Sequence, residues 1–362
     1  MATAFSIPIE PDWEALLRCI RREGTPDRVH FIELFLDREV QEAIAARFGI
    51  WDDIPADDPH ADLMRTVALQ RFLGYDTVRQ GVTGAELDFE KRATGDTAEL
   101  QRDAGREFVN EHTGPIGSRE DFERFPWPTA DDLSTDALEW YEANLPDDMC
   151  VIGSGGFGHF AEHLIWLFGY ESLCFALFEQ RALVEAVRDK LIELNSLMIE
   201  RMLQFDRVRM IWGSDDMGFR SGTLISPDDT RALFLPGHRL MAEKARAAGR
   251  LYLLHSCGNL EAIMPDLLDD VKIDGKHSFE DAIEPVTEAK RKYGDRVALL
   301  GGVDMDFLCR SDEEAIRRRV REILDVCLPG GGYCLGTGNS VANYIPLDHY
   351  LAMLDEGRRY GQ

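Results

Sequence analysis

Short apolar runs alternate with longer amphipathic stretches along nearly the whole chain. That alternation restricts it to a small set of α/β folds. The runs are Arg28–Leu36, Tyr75–Val82, Met149–Ile152, Val208–Trp212, Leu251–Leu254, Val271–Gly275, Val297–Leu300 and Tyr333–Leu335. Most are continuously apolar, as expected of strands buried on both faces of a parallel sheet. Helical patterns separate them, including Arg38–Phe48, Leu63–Leu73, Phe160–Phe205, Pro227–Ala248, Leu260–Leu268, Glu313–Cys327 and Leu347–Tyr360. Eight strands alternating with helices predict a (β/α)8 TIM barrel, one α/β domain over residues 1–362. Residues 83–128 break the rhythm. They are polar, with alternating pieces near Leu87–Phe89 and Glu107–Asn110. This span is expected to be an inserted excursion between the second and third strands. No nucleotide fingerprint opens a strand–helix unit, because Gly153-Ser-Gly-Gly156 has the wrong spacing.

Composition narrows the partners. The formal net charge of −26 argues against nucleic acid, which needs a basic footprint. The seven cysteines form no visible paired framework, which suits reduced thiols in a cytoplasmic protein. Residues 1–12 lack the charged and apolar regions of a signal peptide, and no run of about 18 apolar residues predicts a membrane span.

Active sites of such barrels form where the strands end. Those ends carry Glu33, Arg79, the Gly153–Gly156 turn, Asp215 and Asp216, His255 and Cys257, His277, Asp304 and Asn339. The sharpest signal is His255-Ser-Cys-Gly-Asn259. Residues two apart on a strand share a face, so His255 and Cys257 would present an imidazole and a thiol side by side. Both are good zinc ligands, though the same spacing also suits a buried Cys and a hydrogen-bonded His that merely end a strand. Glu33 and Arg79 either pair with each other or serve a ligand. Asp215 reads as a cap or turn residue and Asp216 as the functional one of the two. Gly155 and Gly156 either allow close approach of a ligand or turn a tight corner.

Taken in order, Gly213-Ser-Asp-Asp-Met-Gly218, Leu224-Ile-Ser-Pro227, His255-Ser-Cys-Gly-Asn259, Gly301-Gly-Val-Asp304 and Gly330-Gly-Gly-Tyr333 resemble the uroporphyrinogen decarboxylase superfamily. The resemblance spans Arg28 to Gly361 and implies the same (β/α)8 barrel. The superfamily holds tetrapyrrole decarboxylases and corrinoid-linked methyltransferases. The decarboxylases carry Met-Arg-Gln-Ala-Gly-Arg at the first strand, where this chain has His30-Phe-Ile-Glu-Leu-Phe-Leu-Asp37. An acidic strand end would repel their polycarboxylate substrate. The His-x-Cys pair instead resembles the zinc motif of the methyltransferase branch. That branch usually adds a Cys in a Gly-Cys pair after the eighth strand, where this chain has Gly338-Asn339. Cys334 lies five residues earlier, roughly 16 Å along a strand. The branch also implies a carboxylate ligand at Glu162, flanked here by His159 and His163.

The resemblance implies a methyltransferase acting between a small methylated substrate and a corrinoid carried by a separate protein. The sequence itself has no Asp-x-His-x-x-Gly segment. The expected roles are acid–base or orienting for Asp216, Glu33 and His255, and zinc binding for His255, Cys257 and Glu162. Substrate binding falls to Arg79, Gly155, Gly156, His277 and Asn339. Two rivals stand beside this reading. One is a metal-independent decarboxylase or lyase of a small acid, using two or more of Arg79, Arg220 and Lys276. The other is a non-catalytic binding protein.

Overall fold

The computed structural model describes residues 5–87, 89–102, 105–110 and 112–361. Seven parallel strands form one sheet: β1 (Thr77–Gln80), β2 (Cys150–Gly153), β3 (Val208–Ser214), β4 (Leu251–His255), β5 (Gly275–His277), β6 (Ala298–Leu300) and β7 (Tyr333–Cys334). Each pairs with the next in chain order, so the sheet winds in one direction.

The sheet curls around its own core. Cys150 and Ile152, Met210 and Trp212, Leu251 and Leu253, Ala298 and Leu300, and Cys334 form one buried cluster. Intervening residues such as Val151, Ile211, Tyr252, Leu254, Leu299 and Tyr333 belong to a second cluster, shared with the helices. Period-2 geometry thus sends alternate side chains to an inner and an outer core, and both are apolar. This is why the strands read as continuous hydrophobic runs. The helix Trp13–Ile20 adds Leu16, Leu17 and Ile20 to the inner cluster. Its N-terminus is capped by Asp12, which accepts from the Ala15 amide at 2.8 Å.

The expected first strand, Arg28–Leu36, forms isolated parallel bridges only, Phe31 with Leu335 and Leu36 with Val341. Ile32 N donates to Leu335 O at 3.0 Å, and Leu335 N to His30 O at 2.8 Å. Toward β1 the segment is tied by side chains instead. His30 Nδ1 lies 2.7 Å from Asp76 Oδ2, and the Phe31 and Tyr75 rings are 6.3 Å apart.

Two further expectations shift, and a third is refined. The run Val271–Gly275 is not a strand. A wide helical turn ends at Val271, Lys272 takes φ +61°, and extended structure begins at Gly275. A left-handed residue cannot continue a strand, so the apolar run is divided there. The helical segments expected over 160–205 are the three helices Phe160–Phe168, Tyr170–Glu179 and Arg181–Met202. Within 83–128, Lys91–Thr94 and Arg106–Val109 form an antiparallel ribbon, while residues 88, 103, 104 and 111 lie outside the described residues. Phe89 packs against His163 and Trp166, with ring centroids at 5.8 and 5.4 Å, and is not part of the ribbon.

Candidate active site

β3 and β4 run in register, with Ser214 opposite His255. Beyond that register the chain places Asp216 next to the His255–Cys257 turn. His255 Nε2 lies 3.3 Å from Asp216 Oδ1 and 3.5 Å from Cys257 Sγ. One ligand-type atom from each of the three residues falls within 4.8 Å of the others. The Cys257 amide donates to Asp216 Oδ1 at 2.8 Å. Gly258 makes the turn possible. Its φ is +84°, and an added Cβ would lie 2.1 Å from the Gly218 carbonyl carbon. The Gly218 and Gly258 motifs therefore touch backbone to backbone, which no other side chain would permit.

A hydrogen-bond chain sets the His255 tautomer. His277 Nε2 is 3.2 Å from the Thr337 carbonyl oxygen, which can only accept. Burial, helped by the charge of His255, keeps His277 neutral by pushing its pKa well below the ordinary range. With its proton on Nε2, His277 accepts at Nδ1 from His255 Nδ1–H, 2.7 Å away. The other ring nitrogen of His255, Nε2, faces Asp216 and Cys257.

The electrostatics suit a cation. Burial, with the Asp216 charge beside it, raises the Cys257 thiol far above its ordinary range. Burial also opposes ionisation of Asp216, but bonds from His255 and the Cys257 amide outweigh it and hold the carboxyl at about 2. Asn339 Nδ2 donates to Cys257 Sγ at 3.3 Å, and Ser278 Oγ is 3.7 Å away. Imidazole nitrogen, thiolate sulfur and carboxylate oxygen are a donor set that fits Zn²⁺. The second ring nitrogen of His255 is already engaged, as it is in most histidine metal ligands. A bound cation would also favour the thiolate. Asp216 keeps 42% of its side chain exposed, so the cluster opens to solvent.

The oxygen of this cluster comes from Asp216, and Glu162, the ligand the family resemblance implies, stands beside it. Glu162 Oε2 pairs with His159 Nδ1 at 2.6 Å and lies 3.4 Å from the Asp216 amide, adjoining the cluster without entering it. Asp215 is fully buried. It accepts from Ala161 N at 2.8 Å and Glu162 N at 3.0 Å, and pairs with His238 Nε2 at 2.9 Å. It caps the helix that carries Glu162.

Glu33 reaches the cluster indirectly. It accepts from Thr337 N at 2.9 Å, and its Oε2 is 2.5 Å from Thr337 Oγ1. Thr337 thus links Glu33 to His277. The Arg79 guanidinium does not pair with the Glu33 carboxylate. It touches the Glu33 carbonyl oxygen at 3.3 Å and lies 4.3 Å from the Trp212 ring centroid. Lys276 lines a separate small cavity with Leu260 and Tyr293, its Nζ donating to Ser278 O at 2.7 Å, and Arg220 is exposed. Cys334 lies in the inner core. Gly155 and Gly156 line a cavity of about 670 Å³ with His159, His163, Trp166 and Phe89. Nothing in the local pattern marked Thr337 as the link between Glu33 and His277. Its position after the last strand was visible, but its partner across 304 residues was not.

Parallel strands curled around an inner core, with polar side chains gathered at their C-terminal ends, define a barrel-like α/β enzyme. Residues 112–360 match the family described as uroporphyrinogen decarboxylase (URO-D), and the chain belongs to that family. It is 34% identical over 80 residues to a uroporphyrinogen decarboxylase from Cupriavidus necator, covering 21% of this chain and 22% of that protein. It is 30% identical over 135 residues to the methylcobamide:CoM methyltransferase MtaA of Methanosarcina barkeri, covering 37% of each. The chain thus spans about a fifth and little more than a third of these two relatives' lengths. The solved structure of a methyltransferase from Methanosarcina mazei superposes with a TM-score of 0.62 at 17% identity, covering 96% of this chain and 98% of that one. At that identity the similarity is one of fold.

Proposed function

We propose that the chain is a methyltransferase of the corrinoid-linked branch, moving a methyl group between a small methylated substrate and a corrinoid held by a separate protein. The convergence of Asp216, His255 and Cys257 carries this reading. The stretch shared with a methylcobamide:CoM methyltransferase supports it. We read the segment 28–36 as the first strand of a (β/α)8 barrel, completing it beside the seven sheet strands, with 83–128 as an insertion between the second and third strands, in one domain.

Zinc held by His255, Cys257 and Asp216 would supply a Lewis acid able to activate a coordinated heteroatom. The chain's own residues do the positioning. Thr337 and His277 hold the His255 ring, and Asn339 and Ser278 lie beside the Cys257 sulfur. Asp216 faces the opening and orients the substrate there. Glu33 steadies the His277 side through Thr337. Arg79, over Trp212, is left to a substrate group. The seven cysteines are free, which suits a cytoplasmic setting, and no helix among the described residues is long and apolar enough to cross a membrane.

A second reading is a metal-independent decarboxylase of a small acid. Arg79 favours it, because its guanidinium has no carboxylate partner among the described residues. Metal dependence separates the two. Purified protein is assayed for methylation of cob(I)alamin by a panel of methylated donors, with zinc and after chelation. Zinc-dependent methylation that is lost in the His255→Ala, Cys257→Ser double variant is expected. No methylation from any donor, in protein that also retains no stoichiometric metal, would overturn the proposal. Uroporphyrinogen is expected to yield no coproporphyrinogen.

A further inference from the structure

The end of the sheet away from the cluster gathers four arginines. The register that pairs Met210 with Leu251 sets Arg209, in β3, beside Arg250, which directly precedes β4. The cluster of Asp216, His255 and Cys257 stands at the other end of these two strands, roughly 16 Å from Arg209 along β3. The helix Trp13–Ile20 adds Arg18, and Arg21 follows just after it. All four line one cavity of about 380 Å³, together with Trp13. That volume lies in the range of small-ligand sites.

These charges are not neutralised within the protein. Arg18, Arg21 and Arg209 form no ion pair among the described residues, and Arg250 Nη2 meets Asp206 at 3.4 Å, a carboxylate that is 86% exposed. Glu14 is the one carboxylate lining the cavity. The chain holds 66 acidic residues against 40 basic, so partners are not in short supply. A helix C-terminus favours cations, which accounts for Arg18 and Arg21. It does not account for Arg209 and Arg250, which belong to the strands. Burial, and then the charge of Arg209, push the Arg250 pKa down, so the two repel. Arg209 is nevertheless held in place. Its guanidinium carbon lies 4.8 Å from the Trp13 ring centroid, and Trp13 Nε1 donates to Asp147 O at 3.0 Å. Like charges fixed around a cavity are pre-organised for an anion.

The kind of anion follows from the donors. A planar guanidinium presents paired N–H groups that match phosphate oxygens. Four guanidiniums against one lining carboxylate leave an excess of three positive charges. That excess suits two phosphate groups better than a monoanion. The net charge of −26 repels a long polyanion, which leaves a small one.

We propose that this cavity binds a small anion bearing a diphosphate group, through Arg18, Arg21, Arg209 and Arg250. The site is separate from the strand ends that hold the cluster, and it does not depend on the methyl-transfer reading.

Calorimetry with inorganic pyrophosphate, inorganic phosphate and adenosine diphosphate at one fixed ionic strength tests it. Pyrophosphate is expected to bind one to one, at least about tenfold more tightly than phosphate, the worth of one further charge-assisted hydrogen bond. Adenosine diphosphate binding more tightly than pyrophosphate would identify the ligand as a nucleotide, and binding more weakly would identify it as the bare anion. Arg18 and Arg21 are exposed, so the Arg18→Gln, Arg21→Gln double variant should keep the fold. It should bind pyrophosphate at least about tenfold more weakly than wild type. Because it leaves His255 and Cys257 untouched, that loss also separates this cavity from a metal held at the cluster. No binding of either diphosphate, phosphate binding as tightly as pyrophosphate, or equal affinity in wild type and double variant overturns the proposal.

Discussion

Glu33 departs far from the chemistry of its free side chain. Burial pushes its carboxyl up to about 8, despite the bonds from Thr337. The geometry agrees. Thr337 Oγ1 lies 2.5 Å from Glu33 Oε2 and 2.7 Å from the Asn339 carbonyl, yet has one proton. A proton on Glu33 satisfies both contacts. Between the free value of about 4.3 and about 8, the folded chain holds a proton that the unfolded chain has lost. Stability should therefore fall as pH rises through that window and level off above it. Glu33→Gln should flatten this limb in melting curves from pH 5 to 9, and an unchanged pH dependence would refute the neutral carboxyl. At His277 the expectation concerns metal. His277→Phe removes the acceptor that fixes the His255 ring, so zinc affinity should drop about 10- to 100-fold with the fold intact. Competition titration against a chelating dye reads this directly, and an unaltered affinity would count against the relay.

At the scale of elements, two junctions hold the site together. Gly258 lets the turn after β4 press on Gly218. Gly258→Ala puts a side chain at positive φ and against backbone, and should cost on the order of 1–3 kcal/mol in urea unfolding, together with metal affinity. Loss of neither would mean the turn relaxes freely. Asp215 ties the end of β3 to the helix Phe160–Phe168 and to His238. Asp215→Ala leaves buried donors unmet, with an expected cost on the order of 3 kcal/mol. A cost below about 1 kcal/mol, the worth of a single ordinary hydrogen bond, would show that water replaces it. The sequence marked Asp215 as a cap or turn residue. The helix it caps, more than 50 residues earlier, was not legible, because capping across elements leaves no local pattern.

The whole molecule carries 66 acidic against 40 basic residues. Local ion pairs are numerous, yet the net charge of −26 remains, and its self-repulsion opposes the compact state. Salt screens that repulsion over a Debye length of about 10 Å at 0.1 M. Raising NaCl from low to moderate concentration should therefore lift the melting temperature by about 1–2 °C, equivalent to roughly 1 kcal/mol for a chain this large. A fall would mean that the surface ion pairs outweigh the net repulsion.

The rhythm of strands and helices, the inner and outer apolar faces, and the position of His255 and Cys257 at the end of β4 are all local properties. They follow from period-2 and helical patterning and were readable without the fold. Contacts between strand ends are not local. Register between β3 and β4 put Asp216 in the cluster beside His255 and Cys257. The bridging of residues 30–36 to the last strand brought Glu33 to Thr337 across 304 residues, and through it to His277. The cavity walled by Phe89, His163 and Trp166 depends on how the ribbon folds back over a helix more than 50 residues later. Spacing along a chain sets which face a side chain takes. Only register and packing set what it meets there.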